Sequence, residues 1–160
     1  MTVERAYFHK LMLEAGLTES FDQELDELLE QEDPLSELTL ALSTCGGNRN
    51  EQIHILSTFI WSVPPDQIDY DVVFSFIVDA FERMYKESPD TIGQLVIWML
   101  SIALSSGLAS TKPWNDIIVL YLRYTDYQEG LVSELSFTQS FIEFLHYKKG
   151  ERPPCKLMSE

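Results

Sequence analysis

Two short patterns in this chain have the residue types and spacing of a metal centre. Glu51-Gln-Ile-His54 and Glu143-Phe-Leu-His146 each place a carboxylate and an imidazole three residues apart, on one face of a helical turn. Two such motifs on separate helices, completed by a Glu from each of two others, hold the di-iron site of carboxylate-bridged bundles. Glu37 precedes the first motif and Glu82 lies between the two, so even the chain order can be fitted. Side-chain direction opposes it. The stripe Phe137, Phe141, Phe144 and Leu145 sets Glu143 and His146 outward with Gln139, and Ile53, Leu56 and Ile60 set Glu51 and His54 outward with Thr58. Di-iron ligands project into the bundle. Glu51 also fits as the acidic partner of an Asn48 capping box, and His146 in a last helical turn suits the helix dipole. The expectation is therefore surface residues, no metal and no cofactor.

Nucleophilic and phosphate chemistry find less support. Cys45 stands before a Gly46-Gly47 stop, and no pattern ties it to His9, His54 or His146; a small buried residue is the better reading. Gly46-Gly47-Asn48 lacks the Lys-Ser/Thr of a phosphate loop. The acids from Glu19 to Glu37 lack the alternate Asp/Asn positions and central Gly of a calcium loop. The chain is expected not to be an enzyme.

Charge gives the sharper signal. Between Glu19 and Glu37 stand nine carboxylates and not one Lys or Arg, in a chain of net charge −15. Like charges at helical spacing, Asp22/Asp26 and Asp26/Glu30, repel by a few tenths of a kcal/mol each. With Phe21, Leu25, Leu28 and Leu29 inward, Asp26, Glu27 and Glu30 point outward, and Asp22 and Glu24 lie on the flanks. Such an arc is either a solvated face that keeps the protein soluble or a docking face for a basic protein. A second candidate surface is the stripe Trp114, Tyr121, Tyr124 and Tyr127 with Arg123 beside it. Tyr, Trp and Arg anchor binding hot spots, but they also pack as half-buried core with a wet tip, and packing is the favoured reading here.

The elements that position these residues read as helices throughout. The first is expected from about residue 2 to 15, stopping at Gly16, and the second from 19 to 31. Asp33 as N-cap with Pro34 opens a third that ends at Gly46-Gly47, and Asn48 caps a fourth that Pro64-Pro65 terminates. The fifth covers about 67 to 86, with Val73, Ile77, Phe81 and Met84 inward and Asp79/Arg83 and Glu82/Lys86 as favourable pairs. Ser88-Pro89 and Gly107 bound the sixth, Lys112-Pro113 and Gly130 the seventh, and the eighth runs from about 133 to 149. The only β-leaning stretch is DYDVVFSFIV. The expected fold is all-α, a compact orthogonal or solenoid-like array of seven or eight helices, although no sequence pattern repeats at a fixed period. Val96, Ile97, Leu100, Ile77, Phe81 and Phe141 are its expected core.

Length and composition bound the rest. At 160 residues, 45% of them hydrophobic, the chain is long enough for one domain with a single core, and too apolar to be disordered despite its charge. Residues 1–149 are read as that domain, and 150–160, with two prolines and Cys155, as a loose tail. A sequence pI near 4.4 opposes direct binding to nucleic acid or an anionic membrane, which need basic surface. No charge occurs from Thr91 to Thr111, but the apolar run Leu95–Leu104 is about half the roughly 20 residues of a spanning helix. It is read as a central helix. Two distant cysteines and a charged N-terminus fit a reducing cytoplasm.

The functional expectation is a small acidic protein-interaction module, in its sharpest form an inhibitor or immunity protein that masks a basic partner such as a nuclease. Asp22, Asp26, Glu27 and Glu30 are the expected partner-binding residues, with Tyr121 and Tyr124 as further contacts. The alternatives are a helical-repeat scaffold that binds a peptide in an uncharged groove and, disfavoured, a carboxylate–histidine metal protein.

Overall fold

The computed structural model describes residues 1–146. Among them stand eight α-helices and two short 3-10 turns, and no strand: α1 (Val3–Glu14), α2 (Glu19–Gln31), α3 (Glu37–Thr44), α4 (Arg49–Trp61), α5 (Tyr70–Glu87), α6 (Ile92–Ser105), α7 (Asn115–Gln128) and α8 (Glu134–Leu145). The protein is all-α. No helix among the described residues is long and apolar enough to cross a membrane. The expected end of the last helix at 149 and the tail 150–160, with Cys155, lie outside the described residues.

Backbone contacts divide the chain into two compact units, the first Met1–Val73 and the second beginning at Phe74. In the first unit α1 packs against α2 and α4, and α3 packs against α2 and α4. Its core is the buried side of α1, Ala6, Phe8, Leu11, Met12 and Leu13, together with the buried Phe21, Leu42, Leu56 and Ile60. Tyr7 closes on Tyr70 edge to face at 5.7 Å. In the second unit α7 packs against α6 and α8. Phe74 meets Trp114 at 5.3 Å and Phe144 at 6.1 Å, and Tyr85 meets Phe141 at 5.3 Å. These edge-to-face pairs join the positive rim of one ring to the negative face of the next.

The helix boundaries follow local hydrogen bonding. Thr2 and Ser133 cap α1 and α8 through their hydroxyls, and the Asn48 side chain accepts from the Glu51 N–H at 3.3 Å, as its sequence position predicts. Gly46 and Gly47 end α3 with φ of +58° and +80°, a backbone that side chains with a Cβ rarely adopt.

Two expected starts are corrected. Helix α3 begins after Ser36, not at Asp33-Pro34, because the Ser36 hydroxyl accepts from the Thr39 N–H at 3.2 Å and the Glu32 carboxylate takes the Ser36 N–H at 3.0 Å. Helix α5 begins at Tyr70, not near Gln67. Residues Pro65–Gln67 form a 3-10 turn, and the Asp69 carboxylate accepts from the N–H groups of Asp71 and Val72. The β-leaning stretch lies in this helix.

The expected core needs one correction and one adjustment. Ile77, Phe81, Val96 and Phe141 are fully buried, but Ile97 is 45% exposed and Leu100 is half-buried. An uninterrupted apolar run does not show which way its helix faces. The buried side of α6 is Leu95, Val96, Met99, Ile102 and Ala103. On α4 the buried side takes in Gln52 and Ser57, whose hydroxyl returns to the Ile53 carbonyl at 2.7 Å, and Ile53 is only half-buried.

Candidate functional site

Helix α2 is held to the first unit by Phe21, fully buried, and by Leu25 and Leu28, half-buried; Leu29 is 38% exposed. That seating turns Asp22, Asp26, Glu27 and Glu30 to solvent, all four exposed. The amide of Gln23 donates to Glu27 at 2.9 Å. Among the described residues no cation stands within ion-pair distance of any of the four carboxylates.

The cause lies one residue pattern away, at Glu24. Sequence reasoning places it on the flank of the acidic arc beside Asp22. The structure turns it inward, with its side chain 13% exposed, against α1. Arg5 Nε donates to Glu24 Oε2 at 2.8 Å and a second guanidinium nitrogen reaches the same oxygen. The fully buried His9 meets that oxygen through Nε2 at 2.7 Å. Phe8 and Phe21 flank the imidazole, with centroids at 4.9 and 5.6 Å. Burial alone would raise the Glu24 carboxyl, but the hydrogen bonds from His9 and Arg5, with the charges behind them, outweigh it and hold the group at about 2, below its ordinary 4.5.

Arg5 and Lys10 are the only Lys or Arg before Arg49. Arg5 is spent on Glu24, and Lys10 pairs with Glu14 at 2.8 Å. The outer arc of α2 is left with its charge uncompensated by either. Sequence reasoning missed the Glu24 triad, although its signal was present: Arg5 and His9 stand four apart on α1, on the side that carries Met12.

The aromatic stripe is mostly committed to packing in the second unit. Trp114 is buried, and Arg123 donates to the Ser136 hydroxyl at 3.0 Å. Tyr127 stacks on Phe137 at 5.4 Å, with the rings 6° from parallel. Tyr124 is half-buried, packed on Phe137 at 5.4 Å, and its hydroxyl accepts from the Gln128 amide at 2.8 Å. Tyr121 is also half-buried.

Both Glu-x-x-His pairs have the outward placement that their helices predict: Glu51, His54, Glu143 and His146 are exposed. Among the described residues no group of three or more His, Cys, Asp or Glu is placed to hold a metal ion. Cys45 is a free, buried thiol whose Sγ donates to the Ala41 carbonyl at 3.2 Å, and burial pushes its pKa up, with the Glu51 charge adding to the rise. That is the opposite of an activated nucleophile.

One feature had no signal in the pattern of either helix alone. Helices α3 and α4 leave between them an open groove of about 680 Å³, with Met1, Leu38, Ala41, Ile55 and Phe59 as its apolar lining and Glu37 and His54 among its polar residues.

Comparison of the chain with protein-family profiles, with characterised proteins and with solved structures gave no match, so the functional reading rests on this chain's own residues.

Proposed function

We propose that this chain is a non-catalytic acidic docking module that captures a basic protein through the outer arc of α2. In its sharpest form it is an inhibitor or immunity protein, working in the cytoplasm, that covers the nucleic-acid site of a basic enzyme such as a nuclease. Carboxylates on a rigid helix can occupy positions where phosphates would bind, and an uncompensated field speeds capture by steering the partner. The observation that carries this reading is the division of charge on α2. Glu24 takes Arg5 and His9 inside, while Asp22, Asp26, Glu27 and Glu30 stand exposed, with no cation among the described residues within ion-pair distance. A module whose own cations neutralised the arc would have no field to offer. Tyr121 and Tyr124, half-buried, would serve only as secondary contacts.

The test is affinity capture from the native host at low and moderate salt, with the wild-type chain beside Asp26→Asn/Glu27→Gln/Glu30→Gln. The proposal expects a basic protein that the wild type retains at low salt and the triple variant retains poorly. An acidic partner, or equal retention by both chains, contradicts it.

A further inference from the structure

The groove between α3 and α4 has the form of a helix-binding cleft. On α4 its lining falls at His54, Ile55, Thr58, Phe59 and Ser62, a stripe at spacings of three and four, and on α3 at Glu37, Leu38 and Ala41. Two such stripes facing across a groove are what an amphipathic helix meets when it lays its apolar side between two others. The volume alone would also suit a small organic ligand. The polar groups do not. The Thr58 hydroxyl donates to the His54 carbonyl at 3.0 Å, the Ser62 hydroxyl to the Phe59 carbonyl at 2.7 Å, and the Ser36 hydroxyl is shared with Thr39 at 2.8 Å. With those hydroxyls returned to their own helices, little remains inside to orient a polar small molecule. Leu38, Ala41, Ile55 and Phe59, each half-buried, remain as an apolar floor.

Charge at one end of the groove specifies the occupant further. Glu37 is exposed in the first turn of α3 and lines the groove, whereas the Glu32 carboxylate accepts the Ser36 N–H at 3.0 Å and already has the ammonium of Met1, another lining residue, at 3.9 Å. Glu37 is thus the lining carboxylate left without a cation within ion-pair distance among the described residues. We infer that the α3/α4 groove binds an amphipathic helix of about three turns, apolar on one side and carrying Lys or Arg on the flank that meets Glu37. The basic character of this occupant rests on the docking function proposed above; the apolar fit does not. The helix supplies the anchor, and the α2 arc attracts what surrounds it.

The probe is a fluorescein-labelled peptide of about twelve residues, roughly 18 Å long as a helix, with Leu at spacings of three and four and Lys elsewhere. Its controls are an isomer of the same composition with the Leu positions scrambled, and a version with Glu in place of Lys. Binding is followed by fluorescence anisotropy at moderate salt. The patterned Lys peptide should bind at least about tenfold tighter than its scrambled isomer, and Thr58→Trp, which fills the groove from an exposed position, should remove that advantage. Ala41→Trp provides a second filler, and unchanged circular dichroism shows that each variant folds. Glu37→Gln should weaken the Lys peptide by about twofold to fivefold, the scale of one exposed ion pair. Equal binding of patterned and scrambled peptides, or patterned binding that survives Thr58→Trp, overturns the groove. Equal binding of the Glu and Lys versions overturns the basic occupant. The Asp26→Asn/Glu27→Gln/Glu30→Gln chain should keep the patterned preference. If it also captures host protein as the wild type does, the α2 reading falls while the groove stands.

Discussion

His9 Nε2 lies 2.7 Å from Glu24 Oε2, joining a fully buried imidazole on α1 to the one carboxylate of α2 that faces inward. An ionised carboxylate can only accept, so Nε2 carries the proton in this contact, an assignment that follows from the hydrogen-bond network. Among the described residues the other ring nitrogen, Nδ1, is buried without a hydrogen-bond partner. Among those residues the contact with Glu24 is therefore the one polar tie that orients the ring.

Breaking that tie should cost stability with a defined pH signature. Glu24→Gln leaves Arg5 and His9 facing an amide and should destabilise the first unit by roughly 3 kcal/mol, the scale of a broken, mostly buried pair. In the wild type the folded carboxyl is held at about 2 against an ordinary 4.5. The stabilisation it gives is fully present above about pH 4.5 and is lost as the pH falls toward 2. Urea unfolding at neutral pH, pH 4.5 and pH 3 checks this. Wild-type stability should decline across that window and the difference from Glu24→Gln should shrink. A constant difference contradicts the pairing.

A second prediction concerns the close approach of α6 and α7. A Cβ at Gly93 would stand 2.5 Å from the Tyr124 hydroxyl oxygen, and that ring is held by Phe137 and Gln128. Gly93→Ala should cost about 1–3 kcal/mol, in spite of alanine's better helix propensity, because overpacking displaces a fixed side chain. Adding Tyr124→Phe, which removes the nearest atom, should restore part of the loss. Thermal unfolding of the two variants gives the comparison, and a stabilised Gly93→Ala would show that Tyr124 moves freely.

The start of α3 gives a third. Ser36→Ala removes the hydroxyl that accepts from the Thr39 N–H and should cost about 1 kcal/mol. Asp33→Ala, at the position that the sequence favours as the cap, should stay within about 0.5 kcal/mol of the wild type. Chemical denaturation that reversed this order would return the helix start to Asp33.

Much of this architecture is legible in the sequence because punctuation and periodicity act locally. Glu19–Gln31 is bounded as the apolar spacing predicts, and Asn48 caps α4 through a contact only three residues away. Two neighbouring signals compete at the start of α3. Asp33-Pro34 resembles a helix opening, yet Ser36 has the geometry, and Glu32 helps it by accepting the Ser36 N–H. The outward turn of Ile97 is not legible, because a run that is apolar on every side carries no phase. The candidate site divides in the same way. The outward direction of Asp26, Glu27 and Glu30 follows from one helix alone. The inward turn of Glu24 depends on Arg5 and His9 from another, and the α3/α4 groove on two helices together.

Removing charge from the outer arc should not harm the fold. Asp26→Asn, Glu27→Gln and Glu30→Gln together leave Phe21, Leu25 and Leu28 in place and relieve repulsion of a few tenths of a kcal/mol per pair. The triple variant should unfold at the same denaturant concentration as the wild type or a slightly higher one. Clear destabilisation would mean that these carboxylates make contacts within the fold beyond the Gln23–Glu27 hydrogen bond, whose acceptor Glu27→Gln retains.

The most direct test of the docking account is the association rate of the captured basic partner with wild-type and triple-variant chains, at about 10 mM and about 150 mM salt. Over that range the screening length falls from about 30 Å to about 8 Å. The account predicts that the wild type associates much faster at the lower salt and that the triple variant loses most of that acceleration, with dissociation little changed. Association by the triple variant that matches the wild type at low salt would contradict it, and would leave the arc of Asp22, Asp26, Glu27 and Glu30 as solubilising charge alone.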